Sequence, residues 1–322
     1  MKKTDLTKWY TSLLSGHGSL IALLLLMLAA SVIYPEFCTV RNLSNVLRQM
    51  SMVGLSAIGM TFVIISGGID LSIGAVIGLT GVIAAQLSGT SVFLAVLLPV
   101  LTGLVIGFVN AFVVTRLKIV PFIATLAVQM AVRGVAYVIT DMRSVSVTDE
   151  SGVFTFIGRD YLLGIPFPVV LFAVAALAAS LVLGRTTYGR SVYAIGGNES
   201  AAQMMGVRVE RSQFISYIMT GGLSALAGVV LCSRLGAGQP VSGQGWEMDA
   251  IAAVAIGGTL LSGGVGGVGK TVCGVLIIGF IRNIINLQGN INSYWQSIIM
   301  GAIILLVIIV QSRDAKEEVN AL

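Results

Sequence analysis

The chain has 322 residues, of which 56% are hydrophobic and 10% charged, with a mean hydropathy of +0.96. A soluble domain needs about a quarter of its residues charged to cover its surface, so this composition excludes one and makes lipid the solvent. The net charge of +5 lies mostly in short polar stretches, where it sets membrane topology rather than binding nucleic acid, and the lone histidine, His17, excludes a histidine-based catalytic or metal site.

A spanning helix needs about 20 mostly apolar residues. Ten such stretches occur in chain order: 18–35, 49–66, 71–88, 92–114, 119–139, 166–184, 212–232, 248–262, 270–288 and 293–311. The first follows Lys2, Lys3 and Lys8. It reads as a retained helix rather than a cleaved signal, because many apolar segments follow. Between the second and third, "GGIDLS" predicts a helix break, with Asp70 or Ser72 placed to cap the third helix. Arg133 lies inside the fifth span and needs an acid or a backbone carbonyl as partner. The eighth stretch is short and glycine-rich, either a plain span or a broken, re-entrant one. Glu247 and Asp249 open it at its outer end, where they complement the helix dipole or receive a partner protein. Cys38, Cys232 and Cys273 have no metal-ligand spacing and read as small buried hydrophobes.

Basic residues orient the chain. With the N-terminus in the cytoplasm, twelve lysines and arginines fall inside and seven outside. An even number of spans returns the C-terminus to the same side. The fold class is thus an all-α integral membrane protein of about ten transmembrane helices, one domain over 1–322. Helices 2–5 and 7–10 enter from opposite faces, which permits an inverted repeat. Two connections are long: Thr140–Ile165, polar and outside, and Arg185–Arg211, basic and inside.

"GGVGGVGKT", 263–271, carries the letters of a phosphate-binding P-loop. The stretch before it reads as small-residue helix rather than strand, and no later strand ends in an acid to hold magnesium. A tight turn with Lys270 at the water interface is the structural reading. No cofactor is expected on this chain.

The inside connection is more informative. Asn198 is placed to cap a helix starting at Glu199, and Gly206 suits its left-handed end. A helix of two turns is unstable alone and needs a surface to pack against. Ala201, Ala202, Met204 and Met205 offer small, adaptable groups for a groove on a partner. A helix resting on lipid headgroups is the alternative, but an aromatic or leucine face opposed to lysines is missing.

Three stretches together resemble the permease subunit of ribose-type bacterial ABC sugar importers: "GMTFVIISGGIDLSIGAVIGLTG" (59–81), "GRSVYAIGGNESAAQMMGV" (189–207) and "EMDAIAAVAIGGTLLSGGVGG" (247–267). The likeness runs nearly end to end. It implies a non-catalytic ten-helix permease for ribose or a related monosaccharide in the bacterial inner membrane. The implied partners are a second permease copy, cytoplasmic ATP-binding subunits and a periplasmic or extracellular sugar-binding protein. In that family the inside helix-turn segment couples to the ATPase. The resemblance gives this role to Gly197, Asn198, Glu199, Ala201, Ala202 and Gly206 within the loop 185–211.

Asp70, Asn110, Gln129, Arg133, Asn283 and Asn286 are polar groups of the spans, each a candidate for the translocation path or gate and equally for a helix–helix contact. An ion-coupled secondary sugar transporter is the alternative function. It calls for acids near the midplane, whereas Asp70, Glu247 and Asp249 fall at expected helix ends. A membrane enzyme finds no supporting constellation of residues.

Overall fold

Lipid offers the backbone no hydrogen-bond partners, so apolar runs close their bonds internally as helices. The computed structural model describes residues 3–289, with side chains from residue 18 on, and scattered helical positions between 295 and 309. The expected tenth span, 293–311, and the C-terminus lie largely outside the described residues. The helices are α1 (Lys3–Ile33), α2 (Val40–Ile65), α3 (Ile73–Leu87), α4 (Val92–Thr115), α5 (Pro121–Thr140), α6 (Val153–Arg159), α7 (Phe167–Arg185), α8 (Thr187–Gly197), α9 (Glu199–Met204), α10 (Val209–Leu235), α11 (Trp246–Ile256) and α12 (Val268–Leu287). Four two-residue strands join them: β1 (Val145–Ser146), β2 (Tyr161–Leu162), β3 (Ile165–Pro166) and β4 (Ala237–Gly238). Among the described residues six helices, α2, α4, α5, α7, α10 and α12, are long and apolar enough to cross a membrane. The protein is a helical, multi-pass membrane protein.

α2 and α10 form the centre. α2 is buried without a break from Met50 to Ile65, as befits a helix apolar on every side. α10 packs along α4, and α2 along α12. Small residues set these distances. A Cβ at Gly221 of α10 would strike the Gly103 carbonyl and Gly107 of α4, whereas one at the adjacent Gly222 meets only the Leu104 side chain. We expect Gly221→Leu to destabilise the protein by about 1–3 kcal/mol, the usual range for overpacking. Gly222→Ala should shift the detergent melting temperature far less.

The two long connections are structured. In the first, β1 pairs antiparallel with β4, Val145 opposite Gly238. α6 is held to α10 by Ser233, whose hydroxyl accepts from the Gly158 amide at 2.8 Å and donates to the Phe154 carbonyl at 2.6 Å. The second holds α8 and α9. These mark opposite ends of the bundle, the strand end and the α9 end.

α3 and α11 depart most from the expected spans. At 1.5 Å per residue they reach about 22 and 16 Å, each short of a bilayer core. After β4 the chain turns inward along α3: Gly238 lies against Gly81 and Val82, Gly243 against Gly74 and Ile77. α11 thus begins beside the first turn of α3, inside the bundle. From there α3 runs toward the strand end and α11 toward the α9 end, where Gly257 meets the Lys270 backbone. Two half-helices meet N-terminus to N-terminus. Of the readings of the eighth stretch, the broken one fits: the chain enters at the strand end and leaves at the α9 end, helical only over Trp246–Ile256. The placing of Glu247 and Asp249 at an outer surface is corrected: they are 7% and 8% exposed.

Candidate functional site

The α9 end is built as one docked unit. α8 was unforeseen in the sequence. Thr186 caps it by accepting from the Gly189 amide at 3.1 Å, and Val192 and Ile195 form its buried face. Gly196 sits against the Ile65 carbonyl at the end of α2, a site with no room for a side chain. The same carbonyl accepts from the Gly264 amide at 2.9 Å, and the Tyr193 hydroxyl donates to the Gly266 carbonyl at 2.9 Å. The segment after α11 is thereby tied to α2 and α8.

The P-loop letters dissolve in this geometry. Gly263–Thr271 connects two helices and no strand precedes it. Thr271, fully buried, places its hydroxyl 2.7 Å from that of Thr61. Its backbone and hydroxyl groups join helices.

α9 follows the expected pattern. Asn198 has extended backbone, and its side chain accepts from the Ala201 amide at 2.9 Å. Glu199 lies in the first turn, and Gly206 has φ +82° after the last. Gly197, Asn198 and Glu199 are exposed. Ala202 is corrected: it is fully buried and packs with Ile195 and Val209 inside the chain's own fold. The outward face is carried by Met204 and Met205, 83% and 74% exposed. Beside it a cavity of about 700 Å³ opens between α9 and the ends of α4 and α10, lined in part by Arg116, Gln203, Arg208 and Phe214.

The other candidate residues gather where the half-helices meet. Asp70, fully buried, accepts from the Ser72 amide at 2.9 Å, the Ser72 hydroxyl at 2.7 Å and the Asn110 amide at 3.2 Å. Asn110 also donates to the Ser72 hydroxyl oxygen at 2.7 Å. Asp70 thus stabilises the start of α3 through Ser72. On the glycine face of α3, Arg133 donates through Nη1 to the Pro240 carbonyl and, at 2.8 Å, to the Ser242 carbonyl. Gln129, one turn earlier, donates to Glu247 Oε1 at 3.4 Å. Asp249 is ion-paired with Arg282 of α12.

Asn283 and Asn286 lie elsewhere. Asn283 exchanges two side-chain hydrogen bonds with Asn42 at 2.9 and 2.8 Å, joining α12 to α2. Asn286 accepts from Gln296 at 2.6 Å. Glu247 and the two carbonyls that receive Arg133 were absent from the sequence-derived path. The glycines Gly74 and Gly78, four apart on α3, were the one available signal that another segment approaches there.

A multi-pass bundle with internal half-helices and a structured helical segment at one end is the architecture of a membrane transport component. Over residues 42–308 the chain matches, and it belongs to, the family described as branched-chain amino acid transport system / permease component. It is 42% identical to the Ribose import permease protein RbsC of Haemophilus influenzae over 295 residues, covering 90% of this chain and 91% of that protein. The Ribose import permease protein RbsC of Bacillus subtilis is 42% identical over 300 residues, with 92% and 93% covered. The L-arabinose transport system permease protein AraH of Escherichia coli is 38% identical over 295 residues, with 91% and 89% covered. No solved structure matches the chain.

Proposed function

We propose that this chain is the membrane-spanning permease subunit of an ATP-binding-cassette importer for ribose or a related monosaccharide. The observation that carries the reading is its identity of 38–42% to ribose and arabinose permeases across nine-tenths of its length. The membrane is the bacterial inner membrane, with the α9 end and both termini in the cytoplasm. There the segment 185–211 receives an ATP-binding subunit, with Gly197, Asn198, Glu199 and Gly206 shaping α9 and Met204 and Met205 facing outward. A second permease copy completes the pathway, and an exported sugar-binding protein delivers cargo at the strand end. This chain binds no nucleotide and catalyses no reaction.

Contacts along the chain support this division of labour. α9 is joined through Ala202 to α8, and α8 through Gly196 to the end of α2. A push on α9 therefore reaches the central helix without crossing a flexible linker. The matching pairs α10 with α4 and α2 with α12, and the opposed half-helices α3 and α11, support an inverted repeat of helices 2–5 and 7–10 within a ten-helix plan.

The ion-coupled alternative gains one feature and loses on the rest. Asp70, Glu247 and Asp249 do lie inside the bundle. Asp249 has a paired arginine and Asp70 a closed set of donors, and family and relatives point to a transport-system permease. Reconstitution in proteoliposomes separates the two. Ribose uptake should require the ATP-binding subunit, the sugar-binding protein and ATP; uptake by this chain alone under an imposed ion gradient would overturn the proposal.

A further inference from the structure

The inward-turning segment 239–245 packs on α3 and receives two hydrogen bonds from one side chain of α5. Arg133 reaches from α5 across α3, its Nη1 atom lying on Gly78, and bonds the carbonyls of Pro240 and Ser242. A side chain at position 78 would occupy the guanidinium site. Glu247 stands one turn along α3, with Oε2 against Gly74. Both groups are incompletely satisfied: Arg133 Nη2 and Glu247 Oε2 are buried and have no hydrogen-bond partner among the described residues. They form no ion pair here, although they face the same strip of α3.

Leaving a buried guanidinium and a buried carboxylate each one bond short is costly, and a pair of them need not be left so. Gly74 and Gly78 are one helical turn apart, about 6 Å. Sliding one packed element past another by one turn is a known switching motion. Such a slide would bring Glu247 to the site over Gly78 now filled by Arg133. Gly74 and Gly78 contribute no side chain to this strip, which Ile77 flanks where it meets Gly243. The charges would then meet as the carbonyl bonds are released, and the bond that each group lacks here would be made to the other.

We propose that Arg133 is a two-position latch: it clamps the inward-turning segment through the Pro240 and Ser242 carbonyls in the arrangement seen here, and transfers to Glu247 when that segment shifts along α3 during transport. Arg133 is a positioning residue and need not touch sugar. The inference rests on the transport reading, so wild-type complex in proteoliposomes serves as the control; failure of wild type to import would sink that reading rather than the latch.

Glu247→Gln keeps the shape and the bond to Gln129 but removes the charge that would draw Arg133 across. We expect its melting temperature and the KM for sugar-loaded binding protein to match wild type, while kcat for uptake falls about tenfold or more, an added barrier near 1.4 kcal/mol. Of the three cysteines expected to be buried, Cys38 is exposed and Cys273 half-buried, so spin labels at Val241→Cys and Val138→Cys, both exposed, report the movement in a Cys38→Ser, Cys273→Ser background. Wild type should populate two distances as ATP and then a trapping analogue are added; Glu247→Gln should hold one. Arg133→Lys, which retains a cation, should recover part of the uptake that Arg133→Met loses. Wild-type kcat in Glu247→Gln overturns the proposal. So does a loss of uptake accompanied by a lowered melting temperature, which would mark Glu247 as a packing group, or a pair of distances that still interconvert.

Discussion

Glutamates at both Met204 and Met205 are expected to abolish ATP-driven sugar uptake while leaving insertion and the melting temperature of the permease unchanged. The two methionines are the outward face of a helix whose inward face is already spoken for by Ala202. Burying a methionine side chain contributes about 1.5–3 kcal/mol. Losing two such contacts and placing two carboxylates in an apolar groove costs at least about 3 kcal/mol, a hundredfold or more in affinity. Co-purification of the ATP-binding subunit with the permease measures this directly, and stimulation of its ATPase activity measures the consequence. Ala202→Asp makes the informative contrast. It should also stop transport, but by burying a charge between Ile195 and Val209, and should lower the melting temperature. A double glutamate variant that still binds and stimulates the ATPase would remove α9 from the coupling route.

Different parts of this architecture were legible to different degrees, and the reason is range. The apolar stretches became helices because hydropathy over twenty residues is a local property. The cap at Asn198 and the left-handed end at Gly206 were legible for the same reason: both are settled within a few residues. α8 was not, because its buried face needs the Ile65 carbonyl and the Gly264 turn to rest on, partners 131 and 68 positions from Gly196. The inward faces of α9 also depended on such contacts, so Ala202 could not be told from Met204 by composition. Segment 239–245, with its glycines, proline and serine, had the composition of a surface turn. Only the glycine strip of α3 lets it descend into the bundle, and that complementarity lies between segments some 165 positions apart, as Gly78 and Gly243 are. The candidate path residues split accordingly, Asn283 into a helix–helix pair and Arg133 into the clamp on that segment.

Asp70→Ala and Asp70→Asn should behave very differently, although both remove the same charge. Asp70 Oδ1 collects the Ser72 amide, the Ser72 hydroxyl and the Asn110 amide in a site with no water-exposed surface. Alanine leaves these donors without their acceptor, and each buried unsatisfied group costs about 1–3 kcal/mol. The expected loss is several kcal/mol, concentrated at the start of α3 and hence at the junction of the two half-helices. Asparagine keeps a carbonyl oxygen for both Ser72 donors. Its amide would oppose the Asn110 amide, but Asn110 Oδ1 is buried with no hydrogen-bond partner among the described residues. Turning the Asn110 side chain over would pair that oxygen with the new amide at the expense of its own bond to Ser72, and the cost of a buried carboxylate would vanish with it. Asp70→Asn should therefore remain within about 1 kcal/mol of wild type, the scale of one interhelical hydrogen bond. Thermal melts in detergent rank the three proteins. An alanine variant as stable as the asparagine variant would show that Asp70 does not organise the break. A stable asparagine variant that nonetheless fails to transport would show that the negative charge itself, rather than the hydrogen bonds it accepts, is what transport requires at this junction.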